Sequence, residues 1–71
     1  MRMQFNSKKL REVRLQYNLT QEQLAELLNI SDRHLRNLET ECHNPSSQML
    51  CRISCVLNVP MDELMIVKKD M

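Results

Sequence analysis

A domain made only of short helices, about five of them, is what this sequence predicts, and three features predict it. Apolar residues recur three and four apart through most of the chain, the spacing of one buried helix face. No stretch alternates strongly enough to read as a strand-rich segment, and no repeat or low-complexity tract is present. Glycine is absent, yet asparagine stands where helices need a left-handed stop: Asn18, Asn29 and Asn58 each follow an apolar-periodic stretch. Each is followed by an aliphatic residue (Leu19, Ile30, Val59) and then by Thr20, Ser31 or Pro60, residues that start or punctuate helices. The pattern is helix, left-handed Asn, apolar plug, next helix.

The elements follow in order. The first helix starts near Ser7 and reaches about Tyr17, with Leu10, Val13 and Tyr17 inward. The second opens at Thr20, with Gln23 three residues on as a capping-box partner, and buries Leu24, Ala25 and Leu28. The third opens at Ser31 and ends near Glu39 or Thr40, with Leu35 and Leu38 inward. A polar stretch from Thr40 to Ser47, containing Pro45, reads as a loop. The fourth helix covers about Ser47 to Leu57, with Leu50, Ile53 and Leu57 inward; a short fifth covers about Met61 to Ile66, with Asp62 and Glu63 suited to its first turn. Met3 and Phe5 alternate with polar residues, a pattern for a short extended arm able to pair with the C-terminal tail.

At 71 residues the chain is expected to be one domain, with its core between about 7 and 66. Such a size is marginally stable alone. The longest apolar run, Leu64 to Val67, is four residues, far too short for a membrane span. With no charged-then-apolar leader, the expected location is the cytoplasm. The net charge of +1 argues against an indiscriminate polyanion binder, while leaving a local basic face open. No glycine-rich phosphate loop, activated nucleophile or spaced carboxylate pair is present, so no enzyme, cofactor or metal is expected.

The informative stretch is TQEQLAELLNISDRHLRNLET, Thr20 to Thr40. Two short helices meet at a three-residue turn; Ala25 is small where they approach, and Ile30 packs under the corner. This is the logic of a helix-turn-helix, whose second helix enters the DNA major groove. Taking about 100° per residue and Leu35 with Leu38 as inward, the outward side carries Arg33, Arg36, Asn37 and Thr40. Arg suits guanine, Asn suits adenine, and Thr suits a thymine methyl or a phosphate. Asp32 has two readings: an N-terminal acid paired with Arg36, or a contact to a cytosine amino group.

The same residues resemble the phage-repressor and Cro-like (XRE) helix-turn-helix family. The matching features run from about Leu10 to Leu64: LREVR, LTQEQLAELLNIS, LRNLE, Pro45 and LCRISCVLNVPMDEL. The resemblance implies a five-helix, lambda-repressor-like fold and sequence-specific binding to double-stranded operator DNA, commonly as a dimer and here as a repressor. By position it implies that Gln21 anchors the start of the second helix on a phosphate, where a helix-capping amide is the plainer reading. It makes Asp32, Arg33, Arg36 and Asn37 base readers, places Thr40 and Asn44 near the DNA backbone, and pairs Arg14 with Glu39. Three Asn replace family glycines, Pro60 replaces a Ser or Thr, and the loop TECHNP lacks the usual Lys and Arg, implying weaker non-specific binding.

Lys8 and Lys9 read either as a solvated face or as phosphate contacts. His34 and His43 read as exposed polar residues. Cys42, Cys51 and Cys55, with His43, are weighed as a zinc or redox site against small apolar filler plus a half-exposed thiol; a Cys-x-x-x-Cys on a helix is not a usual zinc knuckle, which favours filler. Met61, Leu64, Met65, Ile66 and Val67 place apolar groups on more than one side of the fifth helix, so Leu64, Met65 and Ile66 are expected at a homodimer interface. The rival functions are an antitoxin-type or other protein-interaction module and, behind it, a thiol or metal sensor.

Overall fold

A computed structural model describes residues 2–40 and 44–68. Strand β1 (Arg2–Phe5) leads into α1 (Ser7–Gln16), α2 (Gln21–Leu28), α3 (Asp32–Glu39) and α4 (Ser47–Leu57); a 3-10 turn (Met61–Leu64) then feeds strand β2 (Met65–Lys68).

The helix starts are set by short polar side chains. Asn6, Thr20, Ser31 and Ser46 each accept a hydrogen bond from the backbone N–H three residues on, satisfying one amide that the helix itself cannot. Thr20 and Gln23 complete the expected capping box. The ends follow the asparagine rule. Asn18, Asn29 and Asn58 have φ of 57°, 58° and 53°, the left-handed region that Asn tolerates best among residues with a Cβ. At each, the following apolar residue donates back five positions: Leu19 N to Arg14 O (3.1 Å), Ile30 N to Ala25 O (2.9 Å) and Val59 N to Ser54 O (3.1 Å), the long bond of the Schellman motif. Leu19 and Ile30 pack against the core and Val59 is buried in it.

One core collects Phe5, Leu10, Val13, Leu24, Ala25, Leu28, Leu35, Leu38, Met49, Ile53, Leu57, Val59 and Leu64. Two inward assignments change. Tyr17 is 52% exposed; only its hydroxyl is tied down, donating to Leu57 O at 2.9 Å. On α4 the stripe is Met49, Ile53 and Leu57, with Leu50 half-buried beside it; the helix is rotated slightly from the expected face.

The fifth helix is corrected more substantially. Only Met61–Leu64 is helical, as one 3-10 turn, and Met65–Lys68 is a strand. It pairs antiparallel with β1 in the register Arg2–Lys68, Met3–Val67, Gln4–Ile66 and Phe5–Met65, so the arm does pair with the tail. Ile66 and Val67 are β-branched and favour the extended chain, and β1 supplies ladder partners that the sequence alone could not weigh. Met3, Phe5, Met65 and Val67 share one ribbon face by alternation. Phe5 closes the core at 2% exposure, whereas Met3 and Val67 remain 58% and 51% exposed.

Candidate nucleic-acid interface

The site is α3 and what holds it. Leu35 and Leu38 are fully buried, which pins the opposite face outward. Asp32, Arg33, Arg36 and Thr40 are exposed and Asn37 is half-buried, so the residues expected to read bases stand together on the accessible side of one eight-residue helix. Ser31 caps its start by accepting from His34 N at 3.0 Å, and Thr40 Oγ1 donates to Asn37 O at 3.0 Å at its end. Asp32 lies in the first turn and Arg36 in the last, both favourable to the helix dipole.

The orientation of α3 is fixed by a buried ionic network. Arg14 Nε donates to Glu39 Oε2 at 2.8 Å and Nη2 to Oε1 at 3.2 Å, a bidentate pair. The remaining guanidinium nitrogen donates to Leu19 O at 2.8 Å. Gln21 Nε2 donates to Glu39 Oε1 at 3.1 Å. The side chains of Arg14 and Glu39 are only 9% and 3% exposed. One cluster thus ties the last turn of α1, the α1–α2 turn, the first residue of α2 and the last residue of α3. Two charges this buried are tolerable because all three guanidinium nitrogens and both carboxylate oxygens are hydrogen-bonded.

Several expected site residues have structural duties. Gln21 does not cap α2, because Thr20 and Gln23 do; its amide is turned onto Glu39. The first amides of α2, at Gln21 and Glu22, have no acceptor within the helix and point out of its N-terminus. Asn44 Oδ1 accepts from Phe5 N at 3.1 Å, so this residue anchors the end of β1. Lys9 is drawn to Glu63 at 3.2 Å, which removes it from the free basic charges; Lys8 is exposed. Leu64, expected at a dimer interface, is fully buried in its own core, while Met65 is half-buried and Ile66 exposed. The α3–α4 loop residues Glu41, Cys42 and His43 lie outside the described residues. Cys51 is not apolar filler: it and Cys55 are both exposed, free thiols.

Sequence reasoning missed Arg52. Its Nη1 donates to Leu28 O at 3.0 Å, satisfying a carbonyl at the end of α2 from across the α2–α4 contact. An Arg directly after Cys51 and three residues before Cys55 carries no local signal for that role.

Fold and site together define a helix-turn-helix protein. Residues 10–64 match the helix-turn-helix family, and the chain belongs to that family, in its XRE branch. It is 36% identical over 58 residues to the HTH-type transcriptional regulator ImmR of Bacillus subtilis (strain 168), covering 82% of this chain and 46% of that protein; the chain spans about half the length of that relative. The restriction-modification controller protein C.AhdI from Aeromonas hydrophila superposes with a TM-score of 0.74 at 28% identity, over 82% of this chain and 88% of that one. The clp gene regulator ClgR from C. glutamicum gives 0.72 at 26% identity, over 82% and 75%. Among the described residues no helix is long and apolar enough to cross a membrane.

Proposed function

We propose that this chain is a sequence-specific DNA-binding transcriptional regulator, acting in the cytoplasm as a repressor that occupies an operator with α3 in the major groove. One observation carries the reading: Arg33, Arg36, Asn37 and Thr40 project from α3 opposite the buried Leu35 and Leu38, on a helix whose angle the Arg14–Glu39–Gln21 network sets. Arg33 and Arg36 have the fork that pairs with guanine, Asn37 the amide that pairs with adenine. Asp32 reads a cytosine amino group at the edge of the footprint. The first amides of α2, Gln21's second N–H, Thr40, Lys8 and the Asn44 amide group supply backbone contacts, which position without specifying. The names of ImmR, a transcriptional regulator, and ClgR, a gene regulator, support the same reading.

A homodimer completes it, because one helix reads only a few base pairs and a two-fold pair reads two half-sites. With Leu64 buried, the dimer surface moves to the terminal ribbon, where Met3, Ile66 and Val67 are exposed beside Met65 and both strands have an unpaired edge. Selection of bound duplexes from a random pool tests the reading. A defined motif with two related halves is expected, with Arg33→Ala and Asn37→Ala each weakening it by about 1–3 kcal/mol, roughly 5–150-fold. A pool that never enriches, or variants that bind like wild type, would refute it. Sedimentation at micromolar concentration tests the dimer: Val67→Glu is expected to leave a monomer, and a wild-type chain that is monomeric both alone and on its selected duplex would exclude it.

A further inference from the structure

Two exposed thiols on α4 are left over from everything described above. Cys51 and Cys55 lie one helical turn apart, both free and accessible, and with Ser47, Gln48 and Arg52 they line a shallow surface groove. The helix beneath them is held at both ends: Met49 N donates to Ser46 Oγ at 3.2 Å, and Ser54 Oγ donates to Val59 O at 2.6 Å beside the left-handed Asn58. Arg52, which borders the same groove, has its guanidinium tied to Leu28 O. The thiols are therefore presented on the exposed side of a helix anchored at both ends.

The spacing decides their chemistry. Residues four apart on a helix have Cβ atoms about 5–6 Å apart. A disulfide needs about 3.5–4.5 Å, so these two sulfurs cannot oxidise to each other without unwinding α4. A single atom between them is a different matter. Metal–sulfur bonds of about 2.3 Å let two thiolates reach one centre from adjacent turns. Among the described residues no group of three or more His, Cys, Asp and Glu can hold a metal, so the four ligands zinc requires are missing there. What two sulfurs alone satisfy is a soft centre that needs only two protein bonds.

We propose that Cys51 and Cys55 form a dithiol clamp for soft, thiophilic centres of this kind, of which a trivalent organoarsenical, bringing its own carbon as third ligand, is the representative. In the binding step the two thiols add to an arsenic(III) oxide. Two As–S bonds form, the arsenic–oxygen bond breaks, and the oxygen leaves as water with both thiol protons; no oxidation state changes. The clamp stands independently of DNA binding.

Phenylarsine oxide is the probe, applied to the full chain and followed by native mass spectrometry and thiol titration. One adduct per chain is expected, with two of the three thiols protected; it survives excess monothiol and is stripped by a dithiol. Cys42→Ser is expected to retain this behaviour. Cys51→Ser and Cys55→Ser are expected to lose the monothiol-resistant adduct while melting like wild type, since both side chains are exposed. Resistance that survives in either of those two variants, or that disappears in Cys42→Ser, would overturn the assignment. So would a zinc ion retained through dialysis by Cys51 and Cys55, since that requires further ligands.

Discussion

Removing the Glu39 carboxylate is the sharpest perturbation the structure offers. Glu39→Ala deletes three hydrogen bonds at once, from Arg14 Nε, Arg14 Nη2 and Gln21 Nε2. It leaves the Arg14 guanidinium nine-tenths buried, with Leu19 O as its remaining acceptor. Breaking a buried pair from one side costs about 3–5 kcal/mol. The lower end applies here, because Leu19 O stays and water can enter beside the small alanine. A 71-residue domain has roughly 4–11 kcal/mol in total, so about 3 kcal/mol is a large share. At roughly 4–8 °C per kcal/mol for this size, the expected fall in melting temperature is roughly 12–24 °C, read by circular dichroism at 222 nm. A Glu39→Ala melt within two or three degrees of wild type would refute the reasoning. The double variant Arg14→Met with Glu39→Leu separates stability from geometry. Replacing both charges by apolar groups of similar volume is often neutral, so the melt is expected to recover. Gln21 would still have lost its anchor, so DNA affinity is expected to stay low.

Three further outcomes follow from particular contacts. Asn58→Ala is expected to cost about 1–2 kcal/mol, because φ of 53° crowds a Cβ with no side-chain amide to offset it, whereas Asn58→Gly is expected to be near neutral; equal melts for both would show that the left-handed cap is unimportant. Thr20→Ala, which breaks the capping box, is expected to lose about 1 kcal/mol in urea unfolding, and a wild-type midpoint would contradict it. If Lys8, Arg33 and Arg36 are the cationic contacts of each copy, log affinity against log salt is expected to fall with a slope no steeper than about −3 per copy; a much steeper slope would point to further Lys or Arg contacts, such as the exposed Arg11.

Much of this protein was determined locally. The four helix starts needed only a Ser, Thr or Asn with an amide three residues on, and the stops needed only an Asn followed by an aliphatic residue. Both are contacts within six residues of chain, so reading the residues in order finds them. The helix-turn-helix, its buried Leu35 and Leu38 and its outward Arg33, Arg36 and Asn37 followed from the same short-range periodicity. The Arg14–Glu39 pair joins residues twenty-five apart and was legible only through family resemblance.

The tertiary structure alone decided what depends on distant partners. Met65 to Val67 fits a helix or a strand by composition; β1, some sixty residues away, tips it to a strand by offering ladder hydrogen bonds. With Leu64 buried at the end of the 3-10 turn and Val67 exposed on the ribbon, the proposed dimer surface moves to the terminal ribbon. Asn44 became an anchor for Phe5, Lys9 a partner of Glu63, and Arg52 a cap for Leu28, each because folding brought an acceptor or an opposite charge within reach. A slight rotation of α4 put Met49 inside, and both cysteines stand outside as thiols. Periodicity places a residue to within about one position around a helix; whether a side chain at the edge of the stripe meets the core or water depends on how neighbouring helices pack.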